Sequence, residues 1–244
     1  MKTSIMGPAA IIALAAIVVG PQLGVGYSVG VGVVLAIVFG FGWPHYLRIP
    51  ARKTLGTVIA VAGAASAVAA GLTPGPEYLK WTPVFVALGF GAVMVVQLIR
   101  GTGQPHRLES TLGAGVGVVL ASLGCGWVAA YRFVGEPGMF RITGVSALVA
   151  LLVGMIRWPD RVIAPLAVVL AALAGPLAAL LFSEVHIVAA AVIGALMAAI
   201  IISFRRLATL SAPPATAAGA VSMAVAPILS LGALVYFIDK LLLT

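Results

Sequence analysis

The sequence predicts an all-α, polytopic membrane bundle of about nine transmembrane helices, and three observations predict it. Apolar residues fill 62% of the 244 positions while Asp, Glu, Lys and Arg fill only 8%. A soluble domain carries about 25% charge because its surface faces water. Mean hydropathy is +1.20. The apolar residues also fall into nine continuous runs, at 8–20, 25–43, 54–72, 81–99, 111–131, 142–157, 162–182, 186–204 and 217–238. All but the first are long enough, or nearly so, to cross a hydrocarbon core of roughly 30 Å at about 1.5 Å per residue. Runs such as "AAAVIGALMAAIIISF" lack the strict alternation of β-barrel strands. Little chain remains for a soluble module, so residues 1–244 read as one integral-membrane domain.

Each run has its own boundary signals. The first, "MKTSIMGPAAIIALAAIVVG", is short and starts with a charge, as a signal peptide does, but no clear small-x-small cleavage site precedes Pro21. It is read as an extra N-terminal helix. The second offers Gly26 and Gly30 at helical spacing and ends at Gly42-Trp43-Pro44, where proline stops a helix and Trp suits the headgroup level. Arg48, Arg52 and Lys53 separate it from the third. The fourth carries Ala87 and Gly91 and ends on Gln97 and Arg100. The fifth repeats Gly113, Gly117, Ala121 and Cys125 every four residues, a face that another backbone can approach closely. The sixth ends at Trp158-Pro159. Pro165 and Gly175-Pro176 interrupt the seventh, Arg205-Arg206 closes the eighth, and Pro227 lies inside the ninth. Each internal proline removes an amide donor and frees a carbonyl, which broken transporter helices use to bind ions or solutes.

Charge sets the expected orientation. With the N-terminus in the cytoplasm, inner segments hold ten cations and outer segments four (Lys80, Arg132, Arg141 and Lys240). Glu77, Glu136, Glu184 and Asp239 fall outside, and only Glu109 and Asp160 inside. The positive-inside rule therefore favours a plasma-membrane protein with a cytoplasmic N-terminus and an extracytoplasmic C-terminus. The same distribution accounts for the net charge of +8 without nucleic acid, whose readers cluster their cations on a water-facing module. There is also an internal echo. "AIVFGFGWPHYLRIPARKTLG" parallels "ALLVGMIRWPDRVIAPLAVVL", anchored by the two Trp-Pro pairs. It suggests a parallel 4+4 repeat, with halves 25–134 and 140–239, after the extra helix.

Several chemistries lack their residues. No acid or base lies at the middle of a run, so no intramembrane carboxylate is available for proton coupling. The lone Cys125 offers no disulfide or metal cluster, and His45, His106 and His186 are scattered. No H-E-x-x-H, Walker loop or G-x-S-x-G occurs, so the chain does not read as an enzyme and implies no cofactor. What stands out is "QLIRGTGQPHRLEST", Gln97 to Thr111. Arg100, His106 and Arg107 form a candidate cationic contact for a solute or phosphate headgroup, with Glu109 orienting an arginine and Gln97 beside them. Gly113, Gly117, Pro165, Pro176 and Pro227 are the candidate hinge or packing positions.

A helix end with Gln and Arg, a Gly-containing turn and then "RLES" resembles uncharacterised actinobacterial multi-pass proteins loosely called permeases, as do Gly42-Trp43-Pro44 and "GWVAA" at 126–130. The resemblance spans about 25 to 210. It implies an actinobacterial plasma-membrane protein and no particular substrate. Two functions are therefore expected. One is a permease or flippase-like transporter for a small or lipid-linked solute, working between two half-bundles. The other is a non-transporting scaffold subunit of an envelope, division or respiratory complex. Partners are the lipid bilayer, other membrane proteins or further copies of the chain. A polar cavity between the halves favours transport, and a dry bundle with an open small-residue groove favours the scaffold.

Overall fold

A computed structural model describes residues 5–101, 107–134, 138–156, 158–182 and 187–243. The described residues are helical apart from short turns. The helices are α1 (Met6–Val19), α2 (Val25–Tyr46), α3 (Arg52–Leu72), α4 (Thr82–Ile99), α5 (Arg107–Leu123), α6 (Gly126–Val134), α7 (Gly138–Gly154), α8 (Asp160–Phe182), α9 (Ile187–Leu210) and α10 (Ala217–Leu243). Eight spans are long and apolar enough to cross a membrane, with α5 and α6 forming one of them, and Phe140–Gly154 is a shorter apolar helix. This is a multi-pass helical bundle, as the composition demands.

Two runs differ from their sequence reading. The fifth breaks at Gly124-Cys125, where a turn joins α5 to α6. The second does not stop at Trp43 but continues through Pro44 to Tyr46. Proline costs that helix one amide bond, which burial of Trp43, Pro44 and Tyr46 against neighbours offsets.

Packing follows small residues, as it must where lipid tails are as apolar as side chains. The α2–α6 segments form one sector, with α3 touching α2, α4, α5 and α6. The α7, α8 and α9 helices form another. Between them runs α10, against α1, α2, α5, α6 and α9. Its span is 78% buried, whereas that of α4 is 17% buried and faces outward with Leu88, Met94, Val95 and Leu98 exposed. The α5–α6 break exists for α10. A Cβ at Gly126 would run into the backbone of Gly232 and Ala233, and one at Gly232 would lie 2.8 Å from the Leu123 carbonyl oxygen. Glycine at both positions lets the two backbones touch. Trp127 then donates its indole N–H to the Ile228 carbonyl at 2.8 Å.

The helix ends sort onto two faces. On one, Arg48 donates to the Pro213 carbonyl at 2.8 Å, and Arg205 bonds the Gly154 carbonyl and pairs with Asp160. On the other, Arg132 caps α3 through the carbonyls of Ala70 (3.0 Å) and Thr73 (2.7 Å), and Tyr236 donates to the Pro76 carbonyl. Arg132, expected in an outer loop, lies in the last turn of α6. In the helix sets matched by the internal echo, α4 packs on α3 and α5 as α9 packs on α8 and α10, while α9 also lies on α7.

Candidate functional site

Within the polar stretch from Gln97, the structure brings Gln97 onto Ser110. Gln97, at the end of α4, is 2% exposed and donates from Nε2 to Ser110 Oγ at 2.7 Å, while its Oε1 has no hydrogen-bond partner among the described residues. Arg107 and Glu109 occupy the first turn of α5. Glu109 is exposed there, where a carboxylate complements the helix dipole, and the Arg107 carbonyl accepts from Thr111 at 2.8 Å. Arg100 ends α4, half-buried. His106 lies outside the described residues, as do Lys2, Glu136, Arg157, Glu184 and His186. The structure thus joins Gln97 to Ser110, a partner that sequence reading did not single out. An amide and a hydroxyl thirteen residues apart meet because α4 and α5 pack against each other.

Gly113 and Gly117 seat an aromatic side chain. Trp43, expected at the headgroup level, is 3% exposed and donates its indole N–H to the Gly113 carbonyl at 2.9 Å. Its ring lies over Gly117 beside Ile59 and near Phe39 and Tyr46, at centroid distances of 5.1 and 5.6 Å. Trp158, its counterpart in the internal echo, is 56% exposed. The face of α5 therefore holds side chains from α2 and α3.

Two of the internal prolines sit at close helix contacts, and Pro165 is exposed. Pro165 and Pro176 lie inside α8 and Pro227 inside α10. Beside Pro176, a side chain at Gly175 would clash with the Ala190 carbonyl of α9, and one at Gly194 with the Ala171 carbonyl of α8. Pro227 precedes Ile228, whose carbonyl takes the Trp127 bond, and its own carbonyl accepts from Ser230 at 2.7 Å.

The large cavity is elsewhere. An open groove of about 820 Å³ runs between α1 and α2 with α10 as its floor, lined by Ala13, Ala16, Gly26, Gly30, Val34 and Val225 among others. Tyr27 at its edge is 62% exposed, and a Cβ at Gly26 or Gly30 would meet nothing within 4 Å. The four-residue glycine spacing on α5 is filled, and the same spacing on α2 is open. Inside the bundle, by contrast, a narrow cavity of about 10 Å³ beside Ser28 is barely room for one water. Cys125 is buried at the α5–α6 turn, its Sγ 3.2 Å from the Thr82 hydroxyl.

One residue moves from outside the membrane to inside the protein. Asp239, expected beyond the last span, lies within α10, is 0% exposed, and has no hydrogen-bond partner for either carboxylate oxygen among the described residues. The spans therefore do contain a buried carboxylate. The apolar run stops at Ile238 and is followed by "DK", which reads as an interfacial flank until the helix is seen to continue.

No family model matches the chain, and neither curated proteins nor solved structures match it.

Proposed function

We propose that the chain is a non-transporting scaffold subunit of an envelope, division or respiratory assembly. It would lie in the plasma membrane with its N-terminus cytoplasmic and its C-terminus extracytoplasmic. The α1–α2 groove receives a transmembrane helix of the partner. One observation carries this reading: the groove of about 820 Å³ between α1 and α2 is apolar, with glycine and alanine on its walls, while the cavity beside Ser28 holds only about 10 Å³. Helices associate in lipid through small residues that let backbones approach, and Gly26 and Gly30 present such a surface with nothing upon it. A transporter would instead need a polar path between its parts. The test places a photo-crosslinking amino acid at Val34 in native membranes. The expected adduct is a polypeptide that disappears when Gly30 is replaced by Leu; adducts of lipid alone sink the proposal. Transport is the second reading, favoured by Asp239, because ionisable residues inside a bundle often mark ion paths.

A further inference from the structure

The turn between α2 and α3 gathers Arg48, Arg52 and Lys53 around an open pocket of about 650 Å³, lined by residues 48–54 and free of carboxylates. Its position is held from both sides. Ile49 is 4% exposed and anchors the turn in the core, while Arg48 is tied through one amine to the Pro213 carbonyl. Arg48 and Ala51 both adopt left-handed backbone, at φ 57° each, which turns the chain sharply before α3 begins. The Arg52 and Lys53 residues are exposed, and their side chains have no ion-pair or hydrogen-bond partner among the described residues, in contrast to Arg205, which pairs with Asp160. No side chain caps the first-turn amides of α3.

Topology accounts for cations on this face but not for three of them in one carboxylate-free concavity. We infer that this pocket binds a phosphate group, with the Arg52 and Lys53 side chains as the principal contacts and the remaining guanidinium donors of Arg48 completing the cradle. A phosphate supplies acceptor oxygens for all three, and arginine matches it through paired N–H bonds. Its source is either an anionic lipid headgroup at the membrane surface or a soluble phosphate monoester. The inference does not depend on the scaffold reading, since the groove and the pocket share no residue.

The test uses the full chain and two probes. Glycerol 3-phosphate is titrated onto protein in a neutral detergent. Native mass spectrometry is run on protein released from nanodiscs of mixed phosphatidylglycerol and phosphatidylcholine. The Arg52→Gln/Lys53→Gln variant is expected to lose about tenfold or more in affinity for whichever probe binds, as charge-assisted bonds are removed. Arg161→Gln/Arg206→Gln, which removes two exposed cations outside the pocket, leaves that affinity unchanged. Retention of phosphatidylglycerol alone identifies a lipid headgroup, and saturable glycerol phosphate binding identifies a soluble ester. Equal losses in both variants reduce the effect to diffuse attraction and overturn the site, as does wild-type protein that binds neither probe. If the double variant does not fold, Lys53→Gln alone gives the same comparison.

Discussion

Trp127 pins the broken α5–α6 crossing to α10, and the cost of loosening it can be worked out. Its indole is 5% exposed, donates to the Ile228 carbonyl at 2.8 Å, and tilts against Phe140 at 6.0 Å. Trp127→Phe removes the donor. Interhelical hydrogen bonds within membranes average about 0.6 kcal/mol and reach about 1.7. Trp127→Ala also leaves a cavity of roughly 140 Å³, which at about 24 cal/mol per Å³ adds about 3 kcal/mol. The transfer share of the usual loss drops out, because lipid tails solvate an apolar side chain much as the core does. With roughly 2–4 °C per kcal/mol, the melting midpoint in nanodiscs falls by about 1–7 °C for Phe and about 7–19 °C for Ala. Trp158→Ala, at a 56% exposed position, shifts it by less than about 2 °C. If Trp127→Ala melts with the Trp158 variant, the indole does not hold the crossing together and the reasoning fails.

Two further outcomes are expected. Reporter fusions place the C-terminus outside the cytoplasm, in keeping with the cation-rich face that contains Arg48, Arg52, Lys53, Arg205 and Arg206; a cytoplasmic C-terminus removes the orientation altogether. Asp239→Asn removes a buried carboxyl that has no hydrogen-bond partner among the described residues, so the melting midpoint holds or rises. A loss of more than about 1 kcal/mol means that the carboxyl has a partner in the assembled protein, and strengthens the transport reading.

Much of the fold was legible because lipid allows few alternatives. Nine apolar runs became eight helical spans long enough to cross a membrane and one shorter apolar helix, since a backbone in hydrocarbon must satisfy itself as helix. The α5–α6 break also had a visible sign, the "LGCGW" inside a run, but its reason lies in α10, far along the chain. Trp43 and Trp158 show the limit most clearly. Each precedes proline after an apolar run, and only the glycines of α5 decide that Trp43 is buried. Spacing likewise could not tell the filled face at Gly113 and Gly117 from the open one at Gly26 and Gly30. Asp239 was hidden by a boundary error of a few residues, enough to move a carboxylate from water into the bundle. Gln97 stood out as polar, but its partner Ser110 depends on how α4 packs against α5.

The central place of α10 has a consequence for biogenesis. It is synthesised after every helix it touches, and its backbone fills the space left by Gly42 of α2 and Gly126 of α6. About 200 residues separate the end of α2 from the end of α10, which at 5–20 residues per second is roughly 10–40 s of translation. Throughout that interval the earlier spans sit in the bilayer with an unoccupied seam. A nascent chain stalled before α10 would therefore be marked by that seam as unfinished, open to quality-control proteases that a completed bundle excludes.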